Sequence, residues 1–144
     1  MRTVQPKPRS EDSIDLDGVA LSFHDVSTVI DTFYGRVAVD DLLKIPFGSV
    51  QDWPHHVERL IHFWWIRLGG SPYMAGMYNP VEKHFQAGFN AKLLERWLGL
   101  LKSTLDEKLK PDQSFLWFEI AEQMGVGLSM RNEHLIEAHK TRVR

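Results

Sequence analysis

A chain of 144 residues and 16.7 kDa is sized for one compact domain with a core that needs no disulfide or metal staple. Hydrophobic residues make up 43% and charged residues 25%, and 17 Lys+Arg against 19 Asp+Glu leave a net charge of -2, so no basic excess exists to drive nucleic-acid binding and no nucleic acid is expected as a partner. The absence of cysteine excludes disulfides, thiolate metal sites, iron–sulfur ligation and cysteine nucleophiles, and fits a reducing cytoplasm. No apolar leader segment and no run of about 18 apolar residues occurs, so neither a signal peptide nor a membrane span is expected.

The opening stretch, with Pro6, Pro8 and Gly18 as breakers, reads as an N-terminal arm over 1–21 with room for one short helix. From Ser22 to about Ala38, Val26, Val29/Ile30, Phe33/Tyr34 and Val37 recur at helical spacing and predict a first helix. Pro46 and Gly48 turn the chain through a segment carrying Leu42, Leu43, Ile45 and Phe47. A second helix is expected from Trp53, with Asp52 as N-cap, Pro54 early in the helix, and His56, Leu60, Phe63/Trp64 and Arg67/Leu68 down one side until Gly69-Gly70 stops it. Residues 71–88 are punctuated by Pro72, Gly76, Pro80 and Gly88, and so long an irregular stretch in a small helical protein suggests that it frames a site. Asn90 is placed to cap a third helix with the stripe Leu93/Leu94, Trp97, Leu101 and Leu105. Pro111-Asp112 opens a fourth, in which Phe115, Phe118, Ala121, Gly125 and Leu128 keep the period. Strand-like alternation is nearly absent. The expected fold class is all-α, with the folded domain over 22–139 and a basic tail over 140–144.

Residue chemistry narrows the options. None of the seven histidines forms a His-Glu-x-x-His pair, and His55 and His62 are too far apart in sequence to hold a zinc ion alone. Asp40-Asp41 is the most conspicuous carboxylate pair, but adjacent side chains diverge and a turn or helix cap accounts for them. More informative are aromatic residues beside isolated polar groups: Tyr34 next to Phe33, His56 after Trp53, and Trp97 inside a leucine stripe. Each taken alone fits an ordinary core position. Taken with His84, they suit four helices enclosing a flat apolar cofactor whose iron takes one neutral imidazole.

Ordered segments extend this reading: Phe33-Tyr34-Gly35-Arg36-Val37 with Asp40, Leu43 with Ile45-Pro46-Phe47, Trp53-Pro54-His55-His56, His62-Phe63-Trp64, Tyr73 with Ala75-Gly76, Asn79-Pro80, Glu82-Lys83-His84, and Trp97-Leu98-Gly99-Leu100. In this order the chain, over about 22–136, resembles the truncated haemoglobins, most closely their third group. The resemblance implies a truncated globin fold, a two-over-two helical sandwich around haem b. It makes His84 the proximal iron ligand. Tyr34, His56 and Trp97 become the distal groups that face a bound diatomic ligand. Phe47 and Trp64 match aromatic positions that pack on the haem.

Phe33, Leu60, Phe85 and Leu94 complete the expected apolar cradle, and Arg59 and Lys83 are the expected propionate partners. The implied function is reversible binding of dioxygen and other diatomic ligands. Nitric oxide dioxygenation or peroxide chemistry, run with an external electron donor, is the enzyme activity such a site allows. The alternatives are a haem-based sensor and a helical module that binds a protein or apolar ligand through exposed Trp65, Met74, Met77 and Tyr78. A monomer or weak dimer is expected.

Overall fold

The structure, a computed structural model, describes residues 5–44, 53–75 and 91–124. Phe47, Met77, Tyr78, Lys83, His84 and Phe85, and the expected caps Asp52 and Asn90, lie outside them. Two short strands, β1 (Ser13–Leu16) and β2 (Val19–Ser22), precede helices α1 (Phe23–Val39), α2 (Trp53–Arg67) and α3 (Ala91–Lys108), and a further helix, α4, occupies residues 111–124.

The short helix allowed in the N-terminal arm is replaced by a hairpin. β1 and β2 pair antiparallel with Leu16 opposite Val19, joined by Asp17-Gly18, both with positive φ (51° and 88°). That pair is the preferred two-residue loop for a right-twisted hairpin, because glycine takes φ > 0 at no steric cost and aspartate tolerates it. The alternation also buries Leu16 and Leu21 on the helices. Gln113 of α4 donates its side-chain N–H to the Ala20 carbonyl at 2.9 Å, which ties the hairpin to the far end of the chain.

Ser22 caps α1 by a reciprocal pair of bonds: its Oγ accepts from the Asp25 amide at 3.0 Å, and the Asp25 carboxylate accepts from the Ser22 amide at 3.2 Å. The expected stripe is buried from Val26 to Val37. With both faces of that stripe occupied, α1 packs against α2, α3 and β2 together. α2 ends at Arg67, and the amide of Gly70 donates back to the Trp65 carbonyl at 2.8 Å. A Cβ on Gly70 falls 2.3 Å from the Trp65 ring, so only glycine lets this turn close over that indole. Trp65 is itself buried, edge-on to Phe23 at 5.1 Å. The exposed surface expected of it for partner binding is therefore not formed.

The fourth helix is rotated from its expected stripe. Phe115 is 64% exposed, while Ser114, Trp117 and Ala121 face inward. Phe115 and Trp117 lie about 200° apart around a helix, so one of them has to face out. Trp117 goes in because Trp64 meets it, ring centroids 5.6 Å apart, and because the Ser114 hydroxyl docks on the Asp106 carboxylate of α3 at 2.6 Å. The buried indole N–H of Trp117 has no acceptor among the described residues. Such a donor costs roughly 1–3 kcal/mol, against roughly 4–6 kcal/mol from removing an indole-sized apolar surface from water. Burial wins. No helix among the described residues is long and apolar enough to cross a membrane.

Candidate functional site

Tyr34 comes from the middle of α1, His56 from the first turn of α2 and Trp97 from the second turn of α3. The three are far apart in sequence, and packing of α2 and α3 onto α1 brings them together. A chain of ring contacts runs through them. Trp97 meets Phe33 at 5.3 Å, Phe33 meets Tyr34 at 4.8 Å, Tyr34 meets His56 at 6.3 Å, and His56 meets Trp53 at 5.5 Å. Every one of these contacts is edge-to-face, with interplanar angles between 68° and 85°, the arrangement in which ring edges meet ring faces favourably.

These are buried positions: Tyr34 is 1% exposed, Trp97 6% and His56 8%. Burial commits each polar tip to a hydrogen-bond partner in the protein or on a bound molecule. A phenol hydroxyl, an indole N–H and an imidazole thus gather from three helices in surroundings that are otherwise aromatic and aliphatic. Phe33, Leu60, Trp64 and Leu94, the described part of the expected cradle, are all buried in the same core. Arg59, the expected propionate partner on α2, is half-buried one turn beyond His56.

Asp40 fills the turn or cap role expected of it and adds a long-range partner. It caps α1, accepts from the amides of Leu42 and Leu43 at 3.2 and 3.1 Å, and accepts from Arg96 Nε at 2.8 Å and from a second guanidinium nitrogen. The Arg96 hydrogen bonds, reinforced by the two amides, hold its carboxyl below the usual range against the opposing effect of burial. Asp41 points to solvent and pairs with Lys44 at 3.1 Å. Arg96 immediately precedes Trp97, so this pair anchors the α3 turn that carries the indole to the end of the helix that carries Tyr34. Spacing alone hides it, since the partners are 56 residues apart.

His62 is placed elsewhere. Its Nε2 accepts the amides of Tyr73 and Met74 at 3.2 and 3.3 Å, and burial pushes its pKa down. Tyr73 and Met74 form one wall of a cavity of about 690 Å³ between α1 and α2, lined also by Phe23, Tyr34, Trp53 and Ile61. Of the described site residues, Tyr34 alone lines it. His56, Leu60 and Trp64 of α2 are not in that lining, while Tyr34 both lines the cavity and meets the His56 ring at 6.3 Å.

No protein-family model and no curated protein matches the sequence. Solved structures do. A group III truncated hemoglobin from Campylobacter jejuni superposes with a TM-score of 0.68 at 20% identity, covering 77% of this chain and 91% of its own. A group II truncated hemoglobin from Bacillus anthracis superposes at 0.55 and 21% identity, covering 78% and 83%. The chain has the all-α truncated-globin fold, and the group III structure fits it better than the group II one.

Proposed function

We propose that this chain binds haem b and, through it, dioxygen and other diatomic ligands reversibly. A shared fold does not by itself carry a function. The observation that supports the reading is the gathering of Tyr34, His56 and Trp97, three buried hydrogen-bonding side chains from three helices, in one aromatic-walled patch of a truncated-globin fold. The donor set fits the group. Haem needs a flat apolar slot, for which Phe33, Leu60, Trp64 and Leu94 are available, and its ligand needs donors on one side.

On this reading His84 would supply the imidazole that holds the iron, Phe47 and Phe85 would complete the cradle, and Arg59 and Lys83 would meet the propionates. When bound, haem supplies an iron centre that takes a diatomic ligand and carries the redox chemistry. The polypeptide does the rest. Tyr34 would donate a hydrogen bond from its hydroxyl to a bound diatomic ligand, and Trp97 would donate one from its indole N–H on α3. His56, at the start of α2, stabilises the ligand and gates its access. The aromatic wall keeps competing water out, which strengthens each of these bonds. Nitric oxide dioxygenation and peroxide turnover are the reactions this donor set suits, with electrons from an external donor.

The test is an absorption spectrum of the haem-loaded protein in ferric, reduced and carbon-monoxide-bound forms, beside His84→Ala. One haem per chain and a carbon-monoxide-sensitive band that changes when His84 is lost are expected. Folded protein that takes up no stoichiometric haem overturns the proposal.

A further inference from the structure

His62 follows His56 by six residues on α2, about 240° around the helix, and does different work. One nitrogen lone pair, on Nε2, receives two consecutive backbone amides, Tyr73 at 3.2 Å and Met74 at 3.3 Å. The Tyr73 ring stands edge-on to the imidazole, centroids 4.6 Å apart. Only the neutral ring protonated on Nδ1 has that lone pair; the imidazolium presents an N–H on Nε2 to two N–H groups. Among the described residues, the other hydrogen bond of this segment is the Gln5 amide donating to the Pro72 carbonyl at 3.0 Å, and the Tyr73 ring also stands edge-on to Phe23 at 5.7 Å; neither contact titrates.

We propose that His62 is a proton-operated latch: neutral, it pins residues 71–75 onto α2, and protonated, it releases them and opens the cavity beside Tyr34. Tyr73 and Met74 form a wall of that cavity, and Tyr34 is in its lining, so the latch controls a space that touches the candidate site. The chain continues from this segment into the stretch that contains His84. The latch stands on its own hydrogen bonds and does not depend on haem.

The charged groups that line the cavity beside the latch are Lys7 of the arm, Asp31 of α1 and Glu58 of α2, and Tyr73 is itself titratable. Burial and then the charge of Glu58 push the Tyr73 hydroxyl up to about 12, so it stays neutral through the range where His62 titrates. Burial is the one cause of the lowered His62 pKa, with no charge acting on it comparably. The neutral form is therefore the docked form, and acid drives the segment off.

The experiment is amide hydrogen exchange by NMR on the full chain between about pH 5 and 8, with protection corrected for intrinsic rates. It compares the parent with His62→Gln, whose Oε1 accepts the same two amides and does not titrate. In the parent, protection of Tyr73 and Met74 falls by up to about tenfold per pH unit between the ordinary histidine pKa and the lowered one, while Val29 and Leu101 amides stay flat. In His62→Gln the Tyr73 and Met74 protection loses its pH dependence. His62→Ala loses it at every pH. Flat protection in the parent, or the same slope in parent and glutamine variant, overturns the latch.

Discussion

Helices α1 and α3 are joined at two places by opposite physics. On one side Phe33, with Tyr34 packed against it on the same helix, meets Trp97 edge to face, with no charge involved. On the other, Arg36 donates to the Thr104 hydroxyl at 3.0 Å and the Glu107 carboxylate at 2.5 Å, and Asp40 holds Arg96. The ring side positions its groups by shape and tolerates salt and pH. The charged side positions its groups by electrostatics and answers to both. Since Arg96 and Trp97 are neighbours, the charged seam sets the angle at which the indole arrives and the aromatic patch holds it there.

Truncating Phe33 to alanine breaks the ring side at its centre. The ring is wholly buried and touches both Tyr34 and Trp97, so Phe33→Ala is expected to cost about 3–5 kcal/mol in denaturant unfolding. A loss under about 1 kcal/mol contradicts its place in the core.

The charged side breaks with Asp40→Ala. Two amides and a guanidinium lose their acceptor, and roughly 1–3 kcal/mol of stability is expected to go with them. Acid does the same to the parent. The folded carboxyl is held below its ordinary pKa by Arg96, so its contribution is full above the ordinary carboxylate value and is lost as pH falls through the lowered one. Glu107 is lowered by Arg36 in the same direction. Unfolding scans of Asp40→Ala should therefore show a shallower loss of stability in acid than the parent; equal slopes contradict the assignment.

The smallest change is the sharpest for function. Tyr34→Phe keeps the ring contacts with Phe33 and His56 and removes only the hydroxyl. Stability should fall by no more than about 0.5–1.5 kcal/mol, while oxygen dissociation from the haem-loaded protein, followed by stopped flow, should speed up by an amount equivalent to about 0.5–3 kcal/mol. An unchanged rate removes Tyr34 from the ligand's partners.

Much of this was readable before any coordinates. The α1 stripe follows from apolar spacing alone, because one helix face that is entirely apolar has only one way to turn. Tyr34, His56 and Trp97 were identifiable from the order of short motifs, and the structure brings these three together. Other features were missed for definable reasons. The hairpin was signalled by Asp17-Gly18 between Ile14/Leu16 and Val19/Leu21, a turn pair that outweighs the breakers ahead of it. Phe115 and Trp117 were interchangeable to periodicity, and the neighbour Trp64 made the choice. Phe47, Lys83, His84 and Phe85 fall outside the described residues and stand on sequence.

The amino-acid sequence by itself determined the helical class, the start of α1 near Ser22 and the stop of α2 at Gly69-Gly70. Those are matters of local propensity and period, settled within a few residues of each position. Tertiary structure alone decided that Asp40 grips Arg96, that Trp117 rather than Phe115 turns inward, and that His62 docks backbone amides while His56 faces Tyr34. Each of those outcomes depends on what another element presents across a packed interface, and a contact between residues distant in the chain leaves no mark on the local pattern of either one.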